Sequence, residues 1–137
     1  MTETLELETP TYTGKNAPKI EAAPIYHAKH DRTPVELQNK LGLHSRAANL
    51  FVKQAMGYES EIGLINGVSA EELSRDGLYS TVDIHGKKYM DGKSIMSILM
   101  IAAEKGTKLE LAAEGEDCHK AIHELSDLIM NRKFDEE

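Results

Sequence analysis

The sequence has no tryptophan, only two phenylalanines and a single cysteine, Cys118. With aromatics at 5%, a core must be filled by Leu, Ile, Val, Met and Ala. One cysteine cannot form an internal disulfide, so nothing in the chain demands an oxidising compartment. Cys118 reads as a small buried residue. Basic residues are also in the minority: 16 Lys and Arg stand against 23 Asp and Glu, a formal charge of −7. A general grip on nucleic acid needs a basic face that displaces counterions, so nucleic acid is not an expected partner. An anionic membrane surface is disfavoured for the same reason. The longest apolar run, residues 98–103, is far short of a membrane span, and no membrane insertion is expected. The opening Met-Thr-Glu-Thr-Leu-Glu-Leu-Glu is acidic and lacks the apolar region of a signal peptide. These absences predict a soluble, cytoplasmic protein.

What is present suits one globular domain with an appended arm: 137 residues, 40% hydrophobic and 28% charged. All four prolines, Pro10, Pro18, Pro24 and Pro34, fall in the first 34 residues. The stretch between them has no sustained apolar period and cannot offset its ordering entropy. Residues 1–33 are therefore expected to form an arm or linker, either a plain tail or a docking arm. His27 and His30 lie within it without acidic or cysteine partners, so no metal is expected there. Residues 34–132 are expected to form the domain, and residues 133–137 an acidic tail.

Within the domain, Val35 and Leu37 alternate with polar neighbours, as in a half-buried strand. After Gly42, the residues Ala47, Ala48, Phe51, Val52, Ala55 and Met56 recur at helical spacing, with Gly57 placed to end the helix. Residues 60–65 suit a strand. Residues 69–75 carry a capping box and suit one or two helical turns closed by Gly77. Residues 79–84 suit a strand, which His85 and Gly86 turn back into a hairpin partner over 87–90. Ser94 opens a helix predicted to reach Gly106. Leu109 and Leu111 mark another strand, ending at Gly115, and Cys118, Ala121, Ile122, Leu125 and Ile129 a last amphipathic helix. An α+β fold follows, antiparallel strands with helices packed on one face. His119 and His123 sit at i and i+4 on that last helix, a zinc-compatible spacing, but no third ligand accompanies them and a solvated face is favoured.

The chemistry centres on Gly42-Leu43-His44-Ser45-Arg46-Ala47-Ala48. His44 falls at a helix N-cap, where unpaired N–H groups and the positive end of the helix dipole favour a bound anion. Arg46 adds a fixed charge able to pair with phosphate oxygens. A neutral imidazole is a nucleophile, and once phosphorylated its new charge would rest against the helix end. These parts suit a reversible phosphoryl carrier. They equally suit a histidine that merely caps a helix, and these residues alone do not separate the two.

The run Asn39-Lys40-Leu41-Gly42-Leu43-His44-Ser45-Arg46-Ala47-Ala48 closely resembles the phosphocarrier motif of HPr, the histidine-containing protein of the phosphoenolpyruvate phosphotransferase system. Asp91-Gly92-Lys93-Ser94-Ile95-Met96-Ser97-Ile98-Leu99 resembles that family's second signature, and Lys105-Gly106 and Ala113-Glu114-Gly115-Glu116-Asp117 continue the likeness. The resemblance covers residues 34–132 apart from an insertion within about residues 59–80. It implies an open-faced sandwich of four antiparallel strands with three helices on one side. It implies that His44 accepts a phosphoryl group at Nδ1 from phosphorylated enzyme I and passes it to enzyme IIA domains. Arg46 falls on the family's active-site arginine, and Ser94 on the serine that HPr kinase/phosphorylase modifies in many members. Ser94 also suits a plain helix cap.

Ala47 replaces a frequent proline and Ser45 a usual alanine, both small departures. Because of the insertion, either residues 60–65 or residues 79–84 take the place of the family's second strand. Leu43, Met96 and Leu99 are expected to form an apolar docking surface around His44, with Ile95 and Ile98 left to the core. No Gly-rich nucleotide loop or acidic metal pair is evident, so neither cofactor nor metal is expected, and the chain reads as a carrier, not an enzyme. The alternative is a regulatory binding module, whose phosphorylation at His44 or Ser94 selects a kinase or transcription factor.

Overall fold

The structure, a computed structural model, describes residues 29–67, 70–73 and 79–136, and two short paired strands, β1 (Thr13–Gly14) and β2 (Asn16–Ala17). The main elements follow in the order β3 (His30–Glu36), α1 (Ser45–Ala55), β4 (Glu61–Ile65), α2 (Ala70–Leu73), β5 (Thr81–Ile84), β6 (Lys87–Asp91), α3 (Ile95–Ile101), β7 (Lys108–Glu114) and α4 (Cys118–Met130). Five strands form one antiparallel sheet in the order β3-β7-β4-β6-β5. Helix α4 packs on β3 and β7, α3 on β6, and α1 against both α3 and α4. The core between sheet and helices joins Val35, Ile62, Leu64 and Leu111 to Phe51, Ile98 and Leu125, all buried. The expected α+β class is observed.

Three expectations need correction. The sheet has five strands, not four. β4 lies between β7 and β6, and β5, just past the expected insertion, is an additional edge strand beside β6. The first strand also starts earlier than the alternation of Val35 and Leu37 suggested. His30 to Thr33 pair with Glu114 to Leu111, so they belong to the sheet and not to an arm. Pro34 is tolerated because β3 is an edge strand paired on one side only, opposite Glu110. Helix α3 stops at Ile101, short of Gly106, because Ala102 adopts a left-handed φ of 53° at the C-cap. Residues 1–12 and 18–28, including His27, and residues 74–78, including Gly77, lie outside the described residues.

The face of the sheet away from the helices is not open along its whole width. A Cβ on Gly63 would lie 2.5 Å from Tyr89 Cβ and 3.1 Å from Ile84 Cδ1, so the β5–β6 hairpin folds over β4 where the backbone lacks a side chain. The Tyr89 hydroxyl donates to Glu110 on β7, and Lys87 Nζ pairs with the same carboxylate at 2.7 Å. At the hairpin turn the His85 N–H donates to Glu114 at 2.9 Å, and the His85 ring stacks on His30 with centroids 3.6 Å apart. A flat sheet would hold these edge strands roughly 19 Å apart, four spacings of about 4.8 Å. The β5–β6 hairpin therefore curls across the sheet until its turn reaches β3.

Candidate phosphoryl-transfer site

The loop before α1 is fixed from three sides. Gly42 adopts φ +66°, and a Cβ there would meet the Ala103 carbonyl at 2.4 Å, so only glycine fits. The Leu43 N–H donates to that carbonyl at 2.9 Å, and Asn39 Nδ2 donates to the Gly42 carbonyl at 2.7 Å. The left-handed stop after α3 thus delivers the carbonyl that anchors the residue before His44. Asn39, buried at 1% exposure, was not singled out by the sequence; nothing in periodicity marks a buried amide in a loop.

His44 is the N-cap of α1, with φ −78° and ψ 179°. Its carbonyl accepts the Ala48 N–H at 2.8 Å, and its ring Nδ1 accepts the Arg46 N–H at 3.2 Å. The Nδ1 lone pair therefore points into the helix start, and the neutral ring carries its proton on Nε2. The ring is half-buried, while Ser45 and Arg46 are exposed. Any anion carried on Nδ1 would meet free helix N–H groups and the positive end of the α1 dipole.

The Arg46 guanidinium is held too: Nη1 donates to the Phe134 carbonyl at 3.0 Å. Phe134 belongs to the terminal turn Lys133–Asp135, whose three residues have φ 52°, 55° and 57° without a glycine among them. Left-handed backbone costs such residues about 1–2 kcal/mol each. The turn is kept in place by the Phe134 ring, buried at 0% exposure, and by paired bonds of 3.0 and 2.7 Å from Arg132 to Asp135. That arginine holds the Asp135 carboxyl below the usual carboxylate range. Glu136 then accepts the Lys40 N–H at 2.9 Å, tying the chain end to the loop before His44. Residues 133–136 therefore pack against the domain, a correction to the expected acidic tail. The one available signal was an apolar Phe134 among charges.

Ser94 is the N-cap of α3, where its Oγ accepts the Ser97 N–H at 3.4 Å. Asp91 Oδ1 accepts the Lys93 N–H, Gly92 donates to Ile62, and Lys93 Nζ donates to the Tyr58 carbonyl. Of the expected docking residues, Met96 is exposed at 53% and Leu99 is half-buried. Leu43 is at 4% exposure, drawn inward by its bond to Ala103, and cannot contribute to a surface patch. The exposed apolar residue of that loop is Leu41, at 68%. Ile98 is buried and Ile95 partly buried.

His119 Nδ1 lies 3.0 Å from Asp31, and His123 is exposed on α4. Among the described residues no three His, Cys, Asp or Glu side chains cluster as a metal site, and no helix is long and apolar enough to cross a membrane. Cys118 is buried, and burial, with the Asp31 charge, pushes its thiol up.

A family model described as "PTS HPr component phosphorylation site" matches residues 32–131. The phosphocarrier protein HPr of Pseudomonas aeruginosa is 39% identical over 102 residues, covering 74% of this chain and 92% of that protein. HPr of Neisseria meningitidis serogroup A is 37% identical over 95 residues, 69% of this chain and 85% of that one. The HPr-like protein Crh of Bacillus subtilis is 33% identical, covering 67% and 86%. Among solved structures, HPr of Thermoanaerobacter tengcongensis superposes with a TM-score of 0.58 at 34% identity, covering 78% of this chain and 98% of its own. Fold and matched span place the chain among the phosphocarriers of the phosphotransferase system. It belongs to the HPr family.

Proposed function

We propose that His44 is the phosphoryl acceptor, loaded by phosphorylated enzyme I and unloaded by enzyme IIA domains during cytoplasmic sugar uptake. The observation that supports this most is the His44 ring at the α1 N-cap, its Nδ1 3.2 Å from the Arg46 N–H, inside the span that matches the family. In the transfer step the Nδ1 lone pair attacks phosphorus, an N–P bond forms, and the donor's bond to phosphorus breaks, its electron pair leaving with the donor. Nδ1 gives up the Arg46 N–H as it reacts. That N–H then donates to a phosphoryl oxygen, so the new charge acquires a partner as the old bond is lost. The Arg46 guanidinium has five donors and uses one on Phe134, leaving the others for phosphoryl oxygens.

Met96, with Leu99 beside it, is the proposed apolar contact for partners. Ser94 is the proposed regulatory site for an HPr kinase/phosphorylase, since a phosphate there would sit at the start of α3 while α3 packs on α1. A regulatory module is the second reading, favoured by the Ser94 hydroxyl at the start of α3, where an added phosphate would sit at a helix N-terminus. Both readings are tested by supplying enzyme I and phosphoenolpyruvate, then an enzyme IIA domain, and following phosphorus NMR. A phosphohistidine signal that decays when the IIA domain is added supports the carrier. A signal that persists beside a competent IIA domain favours the regulatory module.

A further inference from the structure

We infer that the left-handed terminal turn is a positioning device for Arg46, with Phe134 as its anchor. The inference rests on the carrier reading of His44 and Arg46. Arg46 is an exposed side chain on the first turn of α1, and such arginines sample many rotamers. Here its Nη1 is fixed by a backbone carbonyl, at 3.0 Å, from a segment 88 positions away in the chain. The carbonyl faces Arg46 because the turn is left-handed over three consecutive residues, a backbone that persists only when its surroundings impose it. Phe134 supplies that imposition from below, through a ring with no exposed surface. Arg132 and Glu136 supply it from either side, through Asp135 and the Lys40 N–H. A carbonyl suits this task better than a carboxylate. It orients the guanidinium through a neutral acceptor. The neighbouring Asp135 carboxylate, which also feels the Arg46 charge, is paired with Arg132, so Arg46 keeps its other donors for a phosphoryl group.

The test is a cycle between Phe134 and Arg46 in the full chain, read as the rate of phosphoryl transfer from enzyme I with each variant shown to be folded by circular dichroism. Phe134→Ala should slow transfer by roughly fivefold, the worth of one oriented hydrogen bond. Phe134→Leu refills the pocket and should restore most of the rate. In an Arg46→Ala background, Phe134→Ala should add little further slowing, because the residue it positions is gone. Phe134→Val, a smaller truncation, carries the same comparison if the alanine variant does not fold. Equal slowing by Phe134→Ala with and without Arg46, or no slowing in the parent chain, would overturn the inference. A parent chain that takes no phosphoryl group would instead remove the carrier reading beneath it.

Discussion

His44 and Arg46 are fixed in different ways. The imidazole is fixed by the helix it caps, and the guanidinium by a turn at the other end of the chain. His44→Ala is expected to accept no phosphoryl group, whereas Arg46→Ala is expected to accept it more slowly, since the helix N–H groups still meet the charge. Ser94 gives a second comparison at this scale. Ser94→Asp should slow transfer from enzyme I by adding charge to a docking patch, and Ser94→Ala should leave it near the parent rate, with melting curves of both showing an intact fold. Equal rates for the parent and Ser94→Asp would leave Ser94 as a cap only. The placement of His44, Arg46 and Ser94 at helix starts was legible in the sequence, because local signals flank each of them. Leu43 was misread because its burial depends on Ala103, sixty residues away, and no local period reports that bond.

Among the elements, the β5–β6 hairpin departs most from the expected open face. Glu110 joins it to the rest of the sheet, receiving Lys87, the Tyr89 hydroxyl and Arg32. Partial burial would raise the Glu110 carboxyl, but the bonds from Lys87 and Tyr89 and the nearby Arg32 charge hold it below its ordinary value. A carboxylate depressed in the folded state stabilises above its unfolded value and loses that contribution as pH falls through the folded one. The melting temperature of the parent should therefore fall as pH drops below about 4.3, the ordinary glutamate value. Glu110→Gln should be less stable at neutral pH by roughly 1 kcal/mol and show a shallower loss in acid. Gly63→Ala is a sharper probe, because its Cβ collides with Tyr89. It should cost about 1–3 kcal/mol and raise hydrogen exchange in β5 and β6 before α1 and α4. Unchanged exchange there would mean that the hairpin does not lie over Gly63. Strand and turn were both legible in residues 79–90, from alternation and from His85-Gly86. The curl was not, since His30–His85 and Lys87–Glu110 join positions far apart in sequence.

For the molecule as a whole, one domain built on a family pattern carries additions at its edge and its end. The expected boundary after residue 33 would cut β3, so two truncations should differ. Removing residues 1–28 spares the strand, while removing residues 1–33 deletes its His30–Thr33 half and the pairing with β7. Each additional kcal/mol lost should appear as roughly 4–8 °C in melting temperature for a domain of this size. Matching melting temperatures would show that those residues contribute nothing to the sheet. The central claim is that this fold presents His44 as the carrier of a phosphoryl group. Its most direct test is incubation with enzyme I and labelled phosphoenolpyruvate, followed by quantification of protein-bound label after acid and after base. One equivalent of label is expected on the parent chain, stable to base and lost in acid as a phosphohistidine is, and none on His44→Ala. Stoichiometric label on His44→Ala, or label on the parent that survives acid, would contradict it.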